Sequence, residues 1–88
     1  MSRMRPTRLL ERILAGNVGN VDFTDLITLL EALGFREVGG RGSHRVFARP
    51  GIEEFINLQE EKGQAKRYQV RQVATLARRY HLRVEENR

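Results

Sequence analysis

The apolar residues of this chain change their spacing at Gly34, and no other feature constrains the fold as much. Before it, Leu26, Ile27, Leu29, Leu30 and Leu33 recur at helical intervals and form one buried face. After it, the spacing becomes that of extended chain. Phe35 to Val38 reads as a short strand, Ser43 to Arg49 as a second with Val46 and Phe47, and Glu54 to Leu58 as a third. A helix with one apolar face and a sheet with one apolar face must cover each other. The pattern therefore predicts an α+β domain.

The punctuation agrees with that division. Asp22 or Thr24 is placed to cap the Leu-rich helix, and Gly34 to stop it. Gly39 to Gly42 reads as a flexible turn, and Pro50-Gly51 as another. The polar stretch Gln59 to Lys66 reads as a loop. A final helix is expected from about Arg67 to Tyr80, with Val70, Val73, Ala74, Ala77 and Tyr80 on one face. Pro6 can open an earlier helix carrying Leu9, Leu10, Ile13 and Leu14, which Gly16 and Asn17 end. The order is helix, helix, three strands, helix. The expected sheet is antiparallel and three-stranded, with helices on one face and the other face open. Residues 1–21 are taken as an N-terminal helical extension and loop, 22–82 as the domain, and 83–88 as a tail that frays from Glu85.

Composition narrows the partners. With 88 residues there is room for one small core. There is no cysteine, and the two histidines, His44 and His81, have no carboxylates at metal-ligand spacing. No metal or other cofactor is expected. No apolar run approaches membrane-spanning length, so a cytoplasmic protein without a membrane role is expected. Sixteen Lys and Arg against 11 Asp and Glu leave a formal charge of +5, which favours a polyanionic partner. From Gly63 to Val84 there is no acidic residue, while Lys66, Arg67, Arg71, Arg78, Arg79 and Arg83 are basic. That flank reads either as a solvated face or as a contact for RNA or a protein partner.

Gly34-Phe35-Arg36, then Arg41-Gly42-Ser43-His44, Phe47 and Pro50-Gly51, resemble the HicA (YcfA-like) family of toxins. Asn57-Leu58-Gln59 and Tyr68-Gln69-Val70-Arg71-Gln72 add to the likeness, which covers roughly Asp22 to Leu82. The order of these segments carries it, since Gly-Ser-His alone is a weak motif. The resemblance implies a fold like that of double-stranded-RNA-binding domains (dsRBD-like), α-β-β-β-α. It also implies metal-independent cleavage of mRNA as the toxin of a toxin–antitoxin system, and neutralisation by a HicB-like antitoxin. Many members carry a second histidine after the motif histidine. Here that position is Arg45, and His44 alone is carried over as catalytic.

Histidine suits the implied chemistry. RNA brings its own nucleophile, the 2′-OH, and an imidazole with a reference pKa near 6.5 can take or give its proton near neutrality. Gly42, Ser43, Arg41, Arg45 and, from the last helix, Arg71 are the candidate substrate-binding residues. Arginines stabilise charge developing on phosphate, and glycines let backbone N–H groups approach it. The expected product is a 2′,3′-cyclic phosphate.

Strand alternation makes a sharper expectation. Residues 45, 47 and 49 share one face, and 44, 46 and 48 the other. If Phe47 faces the helices, His44 faces the open side with Val46, and Arg45 must reach past the core rim. A bulge near Gly42 would change this. Plainer readings stand beside these. His44 can be a satisfied turn residue, His81 a helix-end residue, and Phe35, Phe47 and Phe55 core. Tyr68 can stack on a base or pack half-buried, and the acidic residues near the third strand can serve solubility. A non-catalytic dsRBD-like RNA-binding module is the alternative function, and a decayed toxin kept for protein contacts is a third.

Overall fold

The computed structural model describes residues 4–85. Its elements are α1 (Pro6–Leu14), α2 (Phe23–Ala32), β1 (Arg36–Arg41), β2 (His44–Ala48), β3 (Ile56–Glu61), β4 (Gln64–Ala65) and α3 (Arg67–Arg79).

Each helix starts and stops on its own local chemistry. Pro6 opens α1, where its missing N–H loses nothing. The Asp22 carboxylate caps α2 by accepting the Asp25 N–H at 3.0 Å. All three helices end with one left-handed residue, Gly16 (φ 99°), Gly34 (φ 98°) or His81 (φ 54°). The next residue then donates back into the last turn: Asn17 to Arg12, Phe35 to Leu30 and Leu82 to Ala77, at 3.1, 2.9 and 2.9 Å. This is the Schellman closure, which favours glycine at the left-handed position. His81 is thus a helix-end residue.

The strands form one antiparallel sheet in the order β1-β2-β3-β4. The expected α-β-β-β-α order is present with a helix before it. Two segments differ from expectation. β1 runs on through Gly39 and Gly40, so the β1–β2 turn shrinks to Gly42 and Ser43. The bulge lies in β1 at Val38, between Glu37 and Gly39, rather than near Gly42. The stretch from Gln59 is no loop. β3 continues to Glu61, turns at Lys62 (φ 53°) and Gly63 (φ 79°), and returns as β4. Two successive positive φ values are the signature of a type I′ hairpin turn. The end of β3 runs past the core rim, so its residues are polar and hide the strand period.

One core joins the layers. Phe35, Phe47, Ile56 and Leu58 from the sheet side meet Leu26, Leu29, Leu30 and Leu33 of α2 and Val70, Val73 and Leu76 of α3. Phe55 is not part of it: the inward positions of β3 are Ile56 and Leu58, and Phe55 is 61 % exposed. Tyr68 is equally exposed rather than half-buried. The residues of α1 expected as an extension contribute Leu9, Leu10 and Ile13, all buried, and the helix packs on α2 and α3. The segment after α3 is tied down too. Val84 packs against the core, and the Glu85 N–H donates to the Ala32 carbonyl at 2.9 Å. Residues 86–88 of that tail lie outside the described residues.

At the far end of α3, Glu54 accepts from the Tyr80 hydroxyl at 2.8 Å and from Arg79 at 2.5 Å. The Tyr80 hydrogen bond, chiefly, holds the Glu54 carboxyl below its usual range, with Arg79 adding to it. The same bond raises the Tyr80 phenol.

Candidate catalytic face

The β1–β2 hairpin presents the motif histidine. Arg41 and His44 are cross-strand partners, leaving Gly42 and Ser43 as the turn. Gly42 has φ 64° and Ser43 is not in the positive region, the pattern of a type II′ turn with glycine first. Gly40, one step back, has φ 133° and lies against the His44 backbone.

Alternation in β2 holds as expected. Phe47 is fully buried on the helix side, and His44 is exposed on the other. Across β3, His44 faces Gln59 and Val46 faces Asn57. Arg41, His44 and Gln59 therefore form a row across three strands of the open face. The Glu60 N–H points to the Ser43 carbonyl at 3.5 Å. The neighbouring pair, His44 and Gln59, is then a non-hydrogen-bonded pair, the arrangement in which side chains come closest. Among the described residues, no side chain or backbone group bonds the His44 imidazole, which leaves both ring nitrogens open to a ligand.

The Gln59 N–H points the other way, out of the β2–β3 ladder. It donates to Oε1 of Gln69 at 3.0 Å. Gln69 is 3 % exposed, on the inner side of α3. Its amide takes the ladder position that β4 is too short to fill, and so fixes β3 opposite His44. Sequence reasoning missed this role. The available signal was a glutamine beside Val70 on the core side of a helix.

The remaining candidates divide. Gly42, Ser43 and Arg41 accompany His44 on the hairpin. Arg45 lies on the opposite face, as alternation demands. Its guanidinium makes a double hydrogen bond to Glu37, at 3.0 and 2.7 Å, and stands 5.9 Å from the Phe47 ring centroid. This hydrogen-bonded pairing lowers the Glu37 carboxyl and raises Arg45. Arg71 is exposed on α3, in the helical layer behind the sheet, and is not brought to His44.

The family model described as the HicA toxin of bacterial toxin–antitoxin systems matches residues 23–78. The chain belongs to the HicA toxin family. No curated protein and no solved structure matches it. The matched HicA segment begins at the first residue of α2 and ends within α3, so it holds the whole sheet and the hairpin that carries His44. Family membership places an antitoxin among the partners of this chain. Among the described residues, no helix is long and apolar enough to cross a membrane, and no group of three or more His, Asp and Glu side chains is arranged to hold a metal ion.

Proposed function

We propose that this HicA-family chain is an endoribonuclease that cleaves mRNA in the cytoplasm without a metal, and that a HicB-like antitoxin silences it. The observation that carries this reading is the position of His44. It stands exposed and unbonded on the open face, in a row with Arg41 and beside the Gly42-Ser43 turn.

The chemistry follows from that row. His44 accepts the 2′-OH proton as the 2′ oxygen attacks the adjacent phosphorus. The P–O5′ bond breaks, giving a 2′,3′-cyclic phosphate and a 5′-OH. Arg41 and the Gly42-Ser43 N–H groups and hydroxyl hold the non-bridging oxygens as charge builds on them. The leaving oxygen takes its proton from water or from the His44 imidazolium formed in the first step. One positioned acid–base group supplies about 10²–10⁴-fold in rate. Arg45, held by Glu37, braces β1 on β2. Arg71 adds to the long-range positive field.

The test compares wild type with His44→Ala on mixed-sequence RNA in EDTA, with analysis of the 3′ ends. Cyclic phosphates from wild type and none from the folded variant support the assignment. Equal cleavage by both removes His44 from the mechanism. Salt-sensitive RNA binding by both without cleavage makes the protein an RNA-binding module instead.

A further inference from the structure

Beyond His44, the same end of the sheet holds a concave feature. A cleft of about 430 Å³ lies between the β3–β4 turn and the start of α3, and Asn20, Glu61, Lys62, Gln64, Lys66 and Arg67 line it. Three cations meet there against one carboxylate. The ion pairs among the described residues are Arg45 with Glu37 and Arg79 with Glu54, so Lys62, Lys66 and Arg67 have no carboxylate partner. The Arg67 guanidinium lies against Gly19, where a Cβ would come within 2.6 Å of Nη2, so the glycine leaves room for that charge at the cleft. Tyr68, the next residue, turns its ring to solvent at 61 % exposure.

The cleft is close to His44. Gln59, across from His44, and Glu61, in the cleft wall, are two residues apart on β3, roughly 7 Å at strand spacing. β4 lies two strands from β2, roughly 10 Å. Three unpaired cations around a polar cleft fit a compact anion, and an exposed aromatic beside them fits a nucleobase, the combination that single-stranded nucleic acid needs.

We propose that this cleft is a second phosphate subsite for the RNA strand cut at His44, taking the phosphate of a flanking nucleotide while Tyr68 stacks on a base. The proposal rests on RNA being the ligand of the His44 face. Its test therefore reads binding apart from cleavage.

A 2′-O-methyl RNA of mixed sequence, which lacks the nucleophile, is titrated against wild type, Lys66→Ala/Arg67→Ala, Tyr68→Ala and Tyr68→Phe at several salt concentrations. Far-UV circular dichroism checks each fold. The double variant is expected to bind about tenfold more weakly. Its log K against log salt slope should be shallower by about 0.7 per lost phosphate contact. Tyr68→Ala should weaken binding at least fivefold, and Tyr68→Phe should not. On cleavable RNA the double variant should raise KM for a long strand and leave a dinucleotide substrate unaffected. Binding results of this kind with no cleavage by wild type would keep the subsite and remove the ribonuclease reading. Equal affinity and salt slope for wild type and the double variant, or no binding by wild type, overturns the subsite. Loss of antitoxin binding alone overturns it as well, and makes the cleft a protein contact.

Discussion

Gly40 and His44 are in direct backbone contact across the β1–β2 ladder. A Cβ at Gly40 would lie 2.3 Å from the His44 carbonyl oxygen and 2.9 Å from the Arg45 Cα. Neither is a flexible side-chain end, so any side chain at Gly40 must displace the strand that carries the histidine. Gly40→Ala should cost about 3 kcal/mol by chemical denaturation, from the clash and the φ of 133° together. Gly42→Ala meets open space and carries only the left-handed penalty, about 1–2 kcal/mol. Similar losses in the two variants would refute this difference.

Removing the acceptor of Gln69 should orphan the Gln59 N–H. Gln69→Met keeps the length and apolar fit of the side chain but offers that N–H no comparable acceptor. A loss of about 1–3 kcal/mol is expected. Hydrogen exchange at the Gln59 amide should speed up more than at neighbouring β3 amides. An unchanged Gln59 amide would mean that Gln69 merely fills space.

Tyr80→Phe should release the Glu54 carboxyl toward its ordinary range, seen by carboxyl NMR titration. The sign for stability follows from the two shifts. The depressed Glu54 contributes stability that is present above its unfolded value and is lost as pH falls through the folded one. The raised Tyr80 contributes stability that is present below its unfolded value and is lost as pH rises through the folded one. The variant should therefore differ from wild type most near neutrality and converge with it in acid and in strong alkali.

His81→Gly should stabilise the protein by about 1 kcal/mol, since His81 holds φ 54° at a position where the other two helices have glycine. Thermal unfolding measures it. A destabilised variant would show that the imidazole makes a contact worth more than the backbone strain.

The sequence was most legible where one residue type answers one physical demand. Asp22, Gly34 and Pro6 mark helix ends because few other residues satisfy those backbone positions. Phe47 set the face of β2, and with it the exposure of His44. Phe55 misled because aromatic size was read as burial, whereas the period of β3 is set by Ile56 and Leu58. The β3–β4 hairpin was hidden because the end of β3 leaves the core and β4 has only two residues, of which Ala65 alone is apolar and buried. Lys62, a residue with no turn preference of its own, occupies a left-handed position beside Gly63. The hairpin residues around His44 were legible from a family likeness. Gln69 was not, because its role depends on where β4 stops.

The docking of α1 has a consequence for cooperativity. Leu9, Leu10 and Ile13 are shared with the core that α2 and α3 build. Opening α1 alone would expose those three side chains, so the helix is expected to unfold with the sheet as one unit. Its amides should exchange as slowly as those of α2. The stretch that identifies the family, 23–78, is shorter than the stretch that shares this core. A protein that seizes α1, 30 to 38 residues before His44 in the chain, would grip a helix that shares the core beneath the catalytic sheet.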